Sequence, residues 1–528
     1  MIDLKQSTSP LSTDSISRRK FLKQMSALGL SMAVLPGMFP GSAQAAGPQK
    51  GGRFRMGMGG SHTTDSLNTQ TIADQFEIHT NYALRNNLVE VDHKGEAIPE
   101  LAESWDVSSD AVRWMFDLRQ GVEFHNGKTL DAEDVIYSIR HHMGPDSKSG
   151  AKGLVDQIDD IRADGKNRVI FTLKGGNADF PYIMNDYHLS IVPAGTTGNQ
   201  WEKGIGTGGY TLEEWEPGVR TFLKRNPNYF KQGRAHFDEV EMLGINDVNA
   251  RTNALKTGRI DYMNQAELKT VRLLKRMPGI EIMKTSGGFH FTLPMLTDIS
   301  PFDNNDARLA LKHAIDREEI VKQVLRGYGT VGNDHPIQKD HPFFAADIPQ
   351  RQYDPDKAKF HLKKAGLTDQ TFPLHTSDLN SIYLDMATLF KEHGRKAGLK
   401  IQLIKEPADG YWSNVWTKKP FCNSHWAARP TADMMFSLAY TSQGKWNESH
   451  LKSARLDELV KAARAELDPA KRRAAYAECQ MIIHNEGGTI VPCFKDYVEA
   501  ATTKVQHGPI SGLLETDAHR AAERWWFA

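Results

Sequence analysis

The chain has 528 residues and balances 65 basic against 65 acidic side chains, so it carries no charge excess that would mark nucleic acid or an anionic membrane as its partner. Three cysteines (Cys422, Cys479, Cys493) exclude a disulfide framework, although in an oxidising compartment one pair could bridge. With 23 phenylalanines and ten tryptophans the chain is not of a disordered type, and its length predicts about three lobes with separate cores.

The N-terminus predicts export. Ser17-Arg18-Arg19-Lys20-Phe21-Leu22-Lys23 is a twin-arginine sequence, followed by an apolar run from Met25 to Phe39 and by Ala43-Gln44-Ala45. The run is shorter than the roughly 20 residues a bilayer needs, and Pro36 and Gly37 interrupt it, which argues against an anchor. Cleavage is expected after Ala45. It would remove five basic and two acidic residues and leave 60 against 63, a net charge of −3. The expected location is the periplasm, reached through the twin-arginine export machinery.

Further along, Asp131 precedes a helical run from Ala132 to Met143, with Asp134 completing an acidic first turn. "RVIFTLK" (168–174) alternates as a strand. Asp316 opens "REEIVKQVL", with Glu319 at its third position and Gly327 at its stop. Asp354-Pro355 opens a helix that Gly366 closes, "KIQLI" reads as a strand, and Asp468-Pro469 opens a longer helix ending at Gly487-Gly488. "TIVPCF" is a further strand. Helices and strands interleave, so the fold class is α/β.

Motifs for catalysis are few. Gly204-Ile205-Gly206-Thr207-Gly208-Gly209 matches a dinucleotide fingerprint in letters only, because a strand and turn follow it where a helix is required. His141 and His142 are adjacent, face different sides of a helix and do not suggest joint metal ligation. "DQIDDIRADG" (156–165) lacks the spacing of a calcium loop. No nucleophile with its base, no zinc motif and no P-loop stands out, so neither an enzyme nor a cofactor is expected. The remaining signal is five aromatic residues, Tyr411, Trp412, Trp416, Trp426 and Trp446, with the polar Asn447 beside the last, dense enough to line a pocket, although each could be ordinary core.

Four blocks in order then carry a resemblance: residues 87–139, residues 206–230 followed by "NALKTGRIDYM" (253–263), residues 301–327, and "YDPDKAKFHLKKAG" (353–366). Together they resemble the large solute-binding proteins of ABC importers, the dipeptide-, oligopeptide- and nickel-binding group. The resemblance implies a bilobal clamshell with an additional inserted sub-domain. Lobe I would comprise 46–82, 207–285 and 500–528, the inserted sub-domain 83–206, and lobe II 286–499. It also implies a monomer that captures a small molecule or short peptide, delivers it to an ABC permease in the inner membrane, and binds no nucleic acid. Opines, glutathione-like compounds, nickel chelates and haem are alternative ligands. A chemoreceptor carrier, a periplasmic chaperone and a secreted hydrolase are alternative roles.

By position, the resemblance places ligand contacts at Ser61, His62, Asp65, Phe289, His290, Tyr411, Trp412, Trp426, Arg429, Asp433, Trp446 and Asn447. One departure is informative. In peptide-binding relatives a tryptophan is followed three residues later by an aspartate that pairs with the ligand's α-ammonium. After Trp426 this chain has Arg429, with the nearest carboxylate at Asp433. Two readings are open: Arg429 pairs with an anionic ligand group, for which its planar fork is suited, or Arg429 and Asp433 bridge each other in a structural turn.

Overall fold

The computed structural model describes residues 48–528; the twin-arginine segment lies outside the described residues. Three sheets organise the chain. The first has seven strands in the order Ile280–Thr285, Tyr497–Thr502, Tyr262–Met263, Arg53–Met58, Glu239–Gly244, Arg220–Arg225 and Tyr210–Glu216. Arg53–Met58 runs parallel to both neighbours, and the other pairings are antiparallel. Phe54, Met56, Tyr262 and Trp525 fill its core, each a large apolar side chain whose burial contributes about 1.5–3 kcal/mol.

The second sheet is antiparallel, in the order Ala102–Val107, Arg113–Leu118, Arg168–Leu173 and Ile158–Ala163. It packs its own core of Trp114, Phe116, Phe171 and Phe180 with Val135 and Ile139 of helix Ala132–Arg140. Asp131 caps that helix, and the Asp134 carboxylate returns to the Asp131 N–H, the reciprocal box expected from the spacing.

The third sheet joins Gly329–Val331, Thr489–Lys495, His290–Pro294 and Ser424–Trp426, and beside it Thr371–Ser377 and Lys400–Glu406 form a parallel pair. Helices Asn305–His313, Pro355–Lys364 and Ser381–Lys396 bury their apolar sides in the same core. The segment after Asp316 is not the single α-helix its sequence predicts. Three α-helical residues pass into a π-turn over Ile320–Val324, where the Leu325 N–H reaches the Ile320 carbonyl. The wider turn lets Ile320, Val324 and Leu325 all face the core.

The fold is bilobal, and the chain crosses between the first and third sheets twice. It leaves Ile280–Thr285 for His290–Pro294, and it returns from Thr489–Lys495 to Tyr497–Thr502 with only Asp496 between the strands. Buried ion networks pin the parts. Lys231 meets Glu90, Glu100 and Glu523 at 2.5, 2.6 and 3.0 Å, and Arg520 meets Glu100 at 2.8 Å. Beneath the third sheet, Asp334 holds Arg317 at 2.6 Å and Arg351 at 2.8 Å. All three cysteines are free and buried, so no bridge forms among them.

The glycine run is structural. Gly204 adopts φ 60° to end the short helix Gly198–Lys203, and a Cβ at Gly206 or Gly208 would lie 2.2–2.3 Å from the backbone of Leu84. The strand Tyr210–Glu216 follows. His141 and His142 diverge, His141 to Asn68 and His142 to Ser149, and hold no common ligand position.

Candidate functional site

A cavity of about 560 Å³ lies where the chain crosses between the two sheets. Gln75, Arg251, Gln265, Glu499, Glu515 and His519 line it from the first sheet's side, and Phe289, Asn380, Ile382, Ala427 and Lys495 from the third's. Each is placed by a local cause. Gln75 opens helix Gln75–Leu84, whose Asp74 and Glu77 form a capping box. Arg251 sits one turn into helix Val248–Lys256, capped by Asp247, and its guanidinium reaches the carbonyls of Ile245 and Asn246 at 2.6 and 2.9 Å. Lys495 and Glu499 flank the second crossing, where the apolar strand run admits charge.

The wall that carries Glu515 and His519 is unusual backbone. Thr516, Asp517, Ala518 and His519 all have φ between 54° and 62°, a left-handed turn that costs L-residues about 1–2 kcal/mol each. Asp517 holds it, accepting from the Ser511 N–H at 2.8 Å, from Arg524 at 2.8 Å and from the Trp525 indole at 3.1 Å. The Thr516 N–H donates to Glu499 at 2.6 Å, and Glu515 accepts from Asn264 and Gln265 at 2.8 and 3.1 Å. Burial pushes the Glu499 carboxyl up to about 8, with Glu515 adding to the rise, and burial likewise raises Glu515. Lys495 lies over the Phe289 ring at 5.7 Å, and burial pulls its ammonium below the usual lysine range.

Residues 427–429 and 511–515 form the wall between this cavity and a second one of about 610 Å³. Arg429 lines the second. Its guanidinium lies 5.8 Å over the Trp426 ring, and one terminal nitrogen donates to the carbonyls of Ala427 and Ala428 at 3.3 and 3.1 Å. Burial lowers its pKa, opposed by Tyr187, Asp186 and Tyr497 nearby. The lobes touch beside it: Arg472 pairs with Asp179 at 2.6 Å, and the Ala178 N–H reaches the Arg464 carbonyl at 2.7 Å.

Of the residues expected at the ligand, the structure brings Phe289 to the first cavity and Arg429 to the second. The proposed Arg429–Asp433 bridge is corrected. Asp433 is buried on helix Ala432–Ala439 and pairs with Arg464 at 3.0 Å. Other expected contacts have partners inside the fold. Tyr411 is 1 % exposed and donates to the Asn423 carbonyl at 2.9 Å. His290 is buried, bonded to the Gly288 carbonyl, and lowered to about 4 by burial, hence neutral. Asn447 spends its amide on the Thr441 and Leu451 carbonyls, Ser61 bonds Asn246, and Asp65 accepts from the His62 N–H. His62 is exposed and lies 3.3 Å from Asp74. Trp426 is buried in a ladder of indoles with Trp416 and Trp446, while Trp412 and Trp446 are 41 % and 38 % exposed outside both cavities. Gln75, Arg251, Asn380, Lys495, Glu499, Glu515 and His519 were not anticipated. The one legible signal was the charge at Lys495, Asp496 and Glu499 within an otherwise apolar stretch.

Comparison with known proteins agrees with this architecture. The oligopeptide-binding protein AppA of Bacillus subtilis is 26% identical over 422 residues, covering 73% of this chain and 76% of that one. The glutathione-binding protein GsiB of Pectobacterium atrosepticum is 25% identical over 439 residues, covering 79% and 82%. Among solved structures, the periplasmic binding protein DppA of Helicobacter pylori in complex with the peptide STSA superposes with a TM-score of 0.75 at 23% identity, covering 91% of this chain and 98% of that one. The profile described as "Bacterial extracellular solute-binding proteins, family 5 Middle" matches residues 96–448, and the chain belongs to that family of extracellular solute-binding proteins.

Proposed function

We propose that this protein is the exported capture component of an ABC importer, closing its two lobes on a peptide or peptide-like solute and handing it to a membrane permease. The observation that carries the ligand reading is Arg429. Among the described residues its guanidinium meets only the Ala427 and Ala428 carbonyls and an indole face, while Asp433, its one nearby candidate partner in sequence, belongs to Arg464. A partly desolvated fork with donors to spare suits a carboxylate, phosphate or sulfonate on the ligand. The curated relatives named for oligopeptides and for glutathione support a solute of peptide character carrying acid groups.

Lobe I is assigned to 46–82, 207–285 and 500–528, its inserted sub-domain to 83–206 and lobe II to 286–499. The two crossings, at 286–289 and at Asp496, support those limits to within a few residues and supply a hinge. Binding, not turnover, is the work of the cleft, and the protein acts as a monomer. Export follows the twin-arginine route, with cleavage after Ala45. Arg18→Lys with Arg19→Lys keeps charge but loses guanidinium geometry, and normal periplasmic levels of that precursor would disprove the route.

The functional test is mass spectrometry of what leaves the purified protein on acid unfolding, followed by thermal shift with the recovered compound. At a 100-fold excess over Kd, a ligand that binds only the folded form stabilises by about 2.7 kcal/mol. An acid-bearing peptide or γ-glutamyl compound that raises Tm is the expected result. Turnover of added peptides with no stabilising compound would favour a hydrolase instead.

A further inference from the structure

We propose that the cleft receives a cationic group of its ligand, an organic ammonium, between Glu515 and Glu499. This deepens the preceding reading and rests on it. Both carboxylates line the 560 Å³ cavity, and both are buried, at 6 % and 2 % exposure. Other buried carboxylates are neutralised within the fold: Glu90, Glu100 and Glu523 by Lys231 and the C-terminal arginines, and Asp334 by Arg317 and Arg351. Asp65, Glu77 and Glu448 lack a cation, but they are held by backbone or indole N–H groups and line neither cavity. Among the described residues Glu515 and Glu499 have only neutral donors: Asn264 and Gln265 for the first, and the N–H and hydroxyl of Thr516 for the second. Each Glu515 oxygen has one of these donors and keeps a lone pair for another, whereas both Thr516 donors meet one Glu499 oxygen and leave the other Glu499 oxygen to a ligand.

The groups facing the pair are accounted for. From the helix Val248–Lys256 comes Arg251, whose terminal nitrogen is engaged by two backbone carbonyls. From the crossing strand come Lys495, over Phe289, and Tyr497; from the neighbouring strand comes Tyr262, bonded to Thr516. Glu267 adds a further negative charge at the cavity wall, and His519 is kept neutral by burial and by His79. None of these cations lies within 4.0 Å of either carboxylate among the described residues. The left-handed turn at 516–519 aims Glu515 into the cavity and delivers the Thr516 N–H to Glu499, so an expensive backbone serves this pair. Clusters of three His, Cys, Asp or Glu ligand atoms among the described residues do not include Glu499 or Glu515, which favours an organic cation over a metal. In the free cleft, burial keeps Glu499 protonated near neutrality, and an arriving cation restores its charge and releases a proton.

The test uses a tryptic digest of casein, offered to the full-length mature protein either untreated or with all amines acetylated. Captured peptides are then quantified by mass spectrometry. Capture from the untreated digest alone is expected, with at least about tenfold less captured by Glu515→Gln and by the double Glu499→Gln, Glu515→Gln variant. Melting curves of the unliganded variants guard against misfolding, since removing an uncompensated buried acid should leave Tm unchanged or higher at pH 8. Equal capture from both digests, or unchanged capture by folded Glu515→Gln, overturns this proposal and leaves the peptide reading intact. Capture from neither digest overturns the peptide reading itself, and this proposal with it.

Discussion

Arg429→Ala separates recognition from architecture. In the free protein the guanidinium contributes a stacking contact at 5.8 Å from the Trp426 ring centre, worth about 0.5–1 kcal/mol at a part-exposed site. Its two hydrogen bonds go to carbonyls one and two residues away, which water can replace when the side chain is removed. The unliganded Tm should therefore fall by a few degrees at most. With ligand bound, the guanidinium and its anionic partner are desolvated together, and truncating one partner of such a pair costs about 2–5 kcal/mol, roughly thirtyfold or more in Kd. Arg429→Lys should recover part of this, because an ammonium keeps the charge but not two parallel donors. Asp433→Ala is the matched control four residues away. It removes the partner of Arg464 and should cost about 1–2 kcal/mol of stability, lowering Tm, while leaving Kd unchanged. Calorimetric titration with the compound recovered from the cleft, and scanning calorimetry without it, measure both quantities on all three variants. An unchanged Kd in Arg429→Ala would refute the reasoning.

Asp334→Asn should destabilise by about 3–5 kcal/mol in urea titration, since it leaves Arg317 and Arg351 buried without a counter-charge. Those arginines hold the Asp334 carboxyl well below its ordinary value, so its stabilising share is present above the unfolded carboxylate pKa of about 4 and is lost as pH falls further. Glu499 has the opposite sign: its folded pKa of about 8 lies above the unfolded value, so it draws stability down as pH rises from about 4.5 to 8. Glu499→Gln should match the parent near pH 4.5 and exceed its Tm increasingly toward pH 8, and parallel Tm–pH profiles would contradict the assignment. The three cysteines should resist alkylation in the native state, because burial raises every thiol, Cys479 to about 12, and all three should react once guanidinium unfolds the chain. Fast native labelling of any one would contradict its burial.

Much of the fold was legible in local chemistry. Asp131 with Asp134, Asp354 before Pro355 and Asp468 before Pro469 mark helix starts because the cap satisfies the N–H groups of the first turn, and the helices begin there. The strands at 168–173 and 489–495 follow from apolar residues whose burial pays only in a sheet. The ordered blocks likewise announced the solute-binding family. Apart from Phe289 and Arg429, the cleft was not legible. Its lining comes from positions 75, 251, 265, 289, 495, 499 and 515, which meet only when two lobes and two crossings bring them together. Nothing local distinguishes Glu515 from any surface glutamate; a left-handed turn that no residue pattern announces gives it a buried place. Proximity in sequence suggested that Asp433 belongs to Arg429, but helical direction carried it to Arg464 instead. Caps and sheet periods are short-range and readable in a few residues, whereas the pairing of charges depends on which distant elements share a low-dielectric interior, and that is decided by packing.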